Sequence, residues 1–177
     1  MGVLRSGLFS VALCVAVALL ACAAVCCSTP DDGVRRRPTR EEFIRYNRHL
    51  IRCDSVCIAR YSDSLGLSTT PTPTNLWLTV TSAGDGAEIK DGDRVRLTFS
   101  VLSLLGDTIY CQEAVGVKTV TVGKADINIG LDEALCLLRR GAEATVILIP
   151  EKAFGLRGDD DAIRGRMILR YDLKILD

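Results

Sequence analysis

Apolar positions recur along this chain with two periods, and the switch between them marks out its elements. Phe43, Tyr46, Leu50, Cys53, Cys57 and Tyr61 follow one another at steps of three or four, with Arg, Asn, Asp and Ser between them. That spacing predicts one amphipathic helix with these six side chains on its inner face. Thr39 followed by Glu42, directly after Pro38, matches a capping box and sets its start; Gly66 sets its end. The stripe needs a cover, either the domain that follows or a second chain, and packing on its own domain is the preferred reading. Ser68 to Asn75, STTPTPTN, then reads as a short stiff linker, because each proline restricts itself and the residue before it.

From Trp77 the period drops to two. Trp77 to Ser82 alternates as a strand, and VRLTFSV puts Val95, Leu97, Phe99 and Val101 on one face. Leu105, Gly106 and Asp107 turn the chain back through Ile109 and Tyr110, and Val120 and Val122 form another short strand. Leu131, Ala134, Leu135 and Leu138 restore the helical period, with Asp132 and Glu133 in the first turn and Arg139 and Arg140 in the last, so a short helix ending at Gly141 is expected. Ala144 to Ile149 is a buried strand, Pro150 stops it, and a loop carrying Ala153, Phe154 and Gly155 follows. Met167 to Ile175 alternates again. Strands at both ends with one helix between them give an α+β class: an antiparallel sheet wrapped around one short helix, preceded by the amphipathic helix.

Charge and composition narrow the chemistry. Lys+Arg and Asp+Glu both number 22 and His numbers 1. A neutral chain without a nucleic-acid motif argues against nucleic acid as a partner, and His49 alone assembles neither a His-based metal cluster nor a Ser-His-Asp triad. Asp159 to Asp161 reads as a solvated charge run, since its spacing fits no EF-hand. No metal or cofactor is expected.

The first residues carry an address. Residues 7 to 27 are apolar or small and follow Arg5, the layout of a secretory signal. Leu19-Leu20-Ala21-Cys22 resembles a bacterial lipobox, which makes Cys22 the expected acylated N-terminus ahead of Cys26 and Cys27, with an ordinary signal peptide or an uncleaved anchor as the alternative. Ala23 lacks the acidic residue linked to inner-membrane retention in enteric bacteria, so the expected location is the cell envelope, lipid-anchored at the outer membrane and facing the periplasm. Of the eight cysteines, Cys14, Cys22, Cys26 and Cys27 lie in or beside this segment, and Cys53, Cys57, Cys111 and Cys136 are expected to be buried free thiols. Redox work by Cys53 and Cys57 is the competing reading. The expected organisation is a signal peptide over 1–21, a flexible tether over 22–38, the amphipathic helix over 39–66, the linker over 67–76 and the main domain over 77–177.

The blocks AGDG, VRLTF, LGDTIY, VGKADINIGLDEAL, RRGAEATVILIPEKAFGLRG and LRYDLKIL, in this order and spacing, resemble the FKBP family of peptidyl-prolyl isomerases. Lipobox, EEFIRYNRHLIRCD helix and Thr-Pro linker together resemble the FKBP-type lipoproteins of Bacteroidetes associated with gliding motility. The resemblance implies an isomerase acting on X-Pro bonds of exported polypeptides, with macrolides as further ligands and a lipid anchor in the membrane. Matching positions carry over Phe99, Ile109, Tyr110, Phe154 and Tyr171 as the catalytic wall, and Ile127, Asn128, Leu131 and Ile163 as the substrate-binding set. Several differ from the family pattern: Phe99 and Phe154 replace Tyr, Ile109 replaces Phe, Tyr110 replaces Asp, Leu131 replaces Trp, and Ile163-Arg164-Gly165 replaces Ile-Pro-Pro. The alternative is a catalytically weak or silent FKBP-like chaperone or scaffold lipoprotein.

Overall fold

The computed structural model describes residues 36–176; the signal segment and Cys14, Cys22, Cys26 and Cys27 lie outside the described residues. The chain divides into two compact units, Met1–Ile44 and Arg45–Asp177. In the first, the capping box forms: Thr39 N–H donates to Glu42 Oε2 at 2.8 Å and Glu42 N–H to Thr39 Oγ1 at 3.2 Å. Helix α1, Arg40–Ser64, starts from it. No helix among the described residues is long and apolar enough to cross a membrane.

The second unit is built on an antiparallel sheet. Its strands are β1 (Thr70–Pro71), β2 (Leu76–Ser82), β3 (Arg94–Ser103), β4 (Thr108–Tyr110), β5 (Lys118–Thr121), β6 (Glu143–Leu148) and β7 (Leu169–Leu176). They lie in the order β1-β2-β6-β7-β3-β4, with β5 sharing the outer edge of β3. Alternation sorts the side chains. Val95, Leu97, Phe99 and Val101 of β3, Ala144, Val146 and Leu148 of β6, and Leu169, Tyr171, Leu173 and Ile175 of β7 all enter the main core. Helix α3, Ile129–Cys136, lays Leu131, Ala134 and Leu135 against them. A four-residue helix α2, Gln112–Val115, links β4 to β5.

The other face of β6 is buried too, which is why this strand reads as a continuous apolar run. Ile147 and Ile149 meet Ile58 of α1, with Ile51, Tyr61, Trp77, Leu104 and Ile168 around them. The expected stripe of α1 is therefore corrected. Phe43 and Tyr46 are 54% and 59% exposed, Cys53 and Cys57 are exposed, and of the six only Tyr61 packs on this cluster. The docked face instead carries buried Asp54, Ile58 and Ser62. Counting hydrophobic residues passed over it because it includes an acid, which becomes a buried contact by pairing with Arg166 at 2.9 Å.

Three smaller expectations also change. α3 ends at Cys136, because Leu137 and Leu138 donate to the carbonyls three residues back, so Arg139 and Arg140 lie beyond it. Arg139 pairs with Glu88 at 2.8 Å and Arg140 donates to the Arg94 carbonyl at 3.2 Å, clamping the turn before β3. The 68–75 stretch is an edge hairpin, since Thr70 and Pro71 pair with β2 and Thr72 N–H donates to Leu76 O at 2.7 Å. Cys53, Cys57, Cys111 and Cys136 are free as expected, but all four are exposed.

Candidate active site

Between α3, the sheet and the loop after β6 lies an open cavity of about 680 Å³. Its floor is Leu131 in the first turn of α3, 1% exposed. Asn128 sets that turn. Its Oδ1 accepts the Leu131 N–H at 2.9 Å as the helix N-cap, while its Nδ2 donates to Tyr171 Oη at 2.8 Å. One amide thus fixes both the floor and the wall residue opposite. Burial pushes the Tyr171 phenol well above its ordinary value, the Asn128 hydrogen bond opposing it without offsetting it, so this side chain stays neutral.

The walls follow from strand alternation. Phe99 and Val101 of β3 and Tyr171 of β7 face the cavity, and the Phe99 and Tyr171 rings lie 5.7 Å apart at 55°. Lys118 Nζ stands 5.8 Å from the Phe99 ring centroid, a cation–π contact at the rim. Phe154 comes from the loop that follows the 3-10 turn Pro150–Lys152, and Ile163 from its far end. Ile127 lies on the segment entering α3.

Tyr110 closes one side. Its hydroxyl donates to an Asp159 carboxylate oxygen and lies 3.3 Å from Asp161. Asp159 also accepts the backbone N–H groups of Asp161 at 3.0 Å and Ile163 at 2.8 Å, folding the loop so that Ile163 turns inward. The hydrogen bond to Asp159 pushes the Tyr110 phenol up to about 12. Burial pushes the Asp159 carboxyl up, but the hydrogen bonds from Tyr110 and the two amides outweigh it and hold it below its ordinary value.

Eight of the nine carried-over residues, Phe99, Tyr110, Ile127, Asn128, Leu131, Phe154, Ile163 and Tyr171, line this one cavity. Ile109 does not; it is half-buried against the main core. Register explains the difference. β3 and β4 pair Val101 with Tyr110 beside a bulge, which sets Tyr110 next to cavity-lining Val101, while Ile109, left out of that register, packs into the adjoining core. Asp159 was read from sequence as solvated and is instead the partner of Tyr110. Val101, Val115, Lys118, Asp126 and Ala153 also line the cavity without being singled out beforehand; only the strand phase of Val101 offered a signal.

No family model matches the chain, and no curated protein matches it. Solved structures do. AtFKBP13 superimposes with a TM-score of 0.59 at 18% identity over 62% of this chain and 98% of its own. A peptidyl-prolyl cis-trans isomerase from Pseudomonas syringae pv. tomato DC3000 gives a TM-score of 0.61 at 15% identity, covering 73% of this chain and 93% of its own. The chain has the FKBP fold.

Proposed function

We propose that this protein is a peptidyl-prolyl cis-trans isomerase tethered to the cell envelope through acylated Cys22, acting on X-Pro bonds of exported polypeptides to assist their folding. The observation that supports it best is one cavity in an FKBP fold in which Phe99, Leu131, Phe154 and Ile163 present an apolar interior to a proline ring, with the Tyr110 hydroxyl tied to Asp159 at one side. A planar prolyl amide separates charge toward its oxygen and is protected by a barrier of about 18–20 kcal/mol. An apolar enclosure disfavours that form relative to the twisted amide, and each ~1.4 kcal/mol of preference is about tenfold in rate. A cavity of about 680 Å³ is also of a size that takes small ligands, which suits macrolides.

Phe154 carries no hydroxyl to meet a substrate carbonyl, and this favours the second reading, a binding-only chaperone or scaffold using the same groove. Exchange spectroscopy on a short X-Pro peptide separates the two. Full-length protein in detergent is expected to accelerate cis/trans exchange, and Phe154→Ala to cut the catalysed rate at least tenfold. Peptide binding without acceleration at high protein concentration establishes the second reading. Labelled fatty acid is expected to enter the wild-type chain and not Cys22→Ser; incorporation in the variant refutes the anchor assignment.

A further inference from the structure

Helix α1 carries three stripes where a surface helix packed on one domain needs two. Ile51, Asp54, Ile58, Tyr61 and Ser62 face the sheet and its flanking loops. Tyr46, Leu50, Cys53 and Cys57, at i, i+4, i+7 and i+11, form a second stripe left largely uncovered: Tyr46 is 59% exposed and both thiols are exposed. Arg45, Arg48 and Arg52, at i, i+3 and i+7, form a third, fully on the surface, and Val56, 46% exposed, lies between the two outward stripes. From Arg45 to Tyr61 the one acidic side chain is Asp54, and it is turned inward onto Arg166. Among the described residues, neither these three arginines nor Arg60 holds an ion pair. Glu41 stands four positions before Arg45 on this stripe and exposed Asp63 follows its far end; between them the outward side of α1 carries four arginines and no acid, beside an apolar ridge.

We propose that this side of α1 lies on an anionic lipid surface, its arginines against lipid phosphates and Tyr46, Val56 and the thiol ridge at the headgroup boundary. Charge selects the occupant. A second copy related by a two-fold axis would set the arginine stripes close to one another, and a polyanion alone would leave the apolar ridge unused. A basic flank with an aromatic and aliphatic ridge is the composition that settles in a membrane interface. The inference rests on the Cys22 tether only to bring the helix to a bilayer; Arg45 follows Cys22 by 23 positions, a span of at most roughly 80 Å even fully extended. Docking would hold the isomerase cavity at a fixed height above the membrane instead of leaving it to roam on its leash.

The test reads alkylation of Cys53 and Cys57 by a neutral maleimide, followed peptide by peptide in full-length acylated protein reconstituted into vesicles, with exposed Cys136 as internal reference. Vesicles containing about a third phosphatidylglycerol are expected to slow Cys53 and Cys57 about tenfold relative to phosphatidylcholine vesicles, with Cys136 unchanged. High salt is expected to abolish the effect, since the Debye length falls from about 10 Å at 0.1 M to about 3 Å at 1 M. The triple variant Arg45→Gln, Arg48→Gln, Arg52→Gln is expected to react alike on both lipids. Equal rates on both lipids in the wild type, protection that survives in the triple variant, or protection in detergent accompanied by Cys53 cross-links between copies each overturns the proposal. Flotation with phosphatidylcholine vesicles reads the tether separately, so loss of the anchor and loss of the docking are distinct results.

Discussion

Tyr110 stands where the FKBP pattern has an aspartate, and a carboxylate returns to the site from the opposite loop as Asp159. The pair holds a charge-assisted hydrogen bond across the cavity mouth. Its pH signature follows from the Tyr110 shift. A phenol raised from its ordinary value near 10 to about 12 contributes stability that is fully present below about pH 10 and is lost as pH rises through about 12. Wild-type protein is expected to lose stability across that window by more than Tyr110→Phe does, as followed by thermal melts at stepped alkaline pH. Parallel curves for the two proteins would refute the pairing. The sequence placed Tyr110 in the site through its position in a family pattern. It gave no sign of Asp159, because the two are 49 residues apart and nothing local links them.

At the scale of elements, α3 is short and depends on its first turn. Asn128 supplies both the N-cap and the link to Tyr171, so the helix start and the β7 wall move together. Asn128→Ala removes both bonds and is expected to cost about 1–3 kcal/mol in denaturant unfolding. Asn128→Asp keeps the cap, gains from the positive end of the helix and can accept from the Tyr171 hydroxyl, so it is expected to stay within about 1 kcal/mol of wild type. An alanine variant as stable as the wild type would mean that α3 is held by packing alone. The apolar spacing of Leu131, Ala134, Leu135 and Leu138 makes this helix legible in the sequence. Its end is not, because Leu137 and Leu138 tighten the last turn before Gly141 is reached.

At the scale of the whole molecule, the sheet separates two clusters. The main core and the cavity lie on one face, and Ile58, Ile147 and Ile149 on the other under α1. Substitutions under α1 should therefore act on stability and leave the cavity alone. Ile58→Ala, at a fully buried position, is expected to cost about 2–4 kcal/mol. Prolyl exchange measured well below the melting temperature should remain within twofold of wild type. A matching fall in exchange rate would show that the two faces are coupled through β6 and β7.

What the sequence determined by itself is what short-range stereochemistry dictates. Alternation fixed the inward faces of β3 and β7, a continuous apolar run marked β6 as buried, helical spacing fixed the inner face of α3, and Thr39 with Glu42 fixed the start of α1. The tertiary structure decided what depends on partners far away in the chain. α1 docks through Ile51, Ile58 and Tyr61 in place of the more apolar stripe, and Arg166, 112 positions later, pairs with the Asp54 that this docking buries. Of the neighbours Ile109 and Tyr110, only Tyr110 lines the cavity, because the pairing of β4 with β3 is set beside a bulge. Periodicity tells which residues share a face; which face is buried is settled by the sum of pairings that only the folded chain brings together.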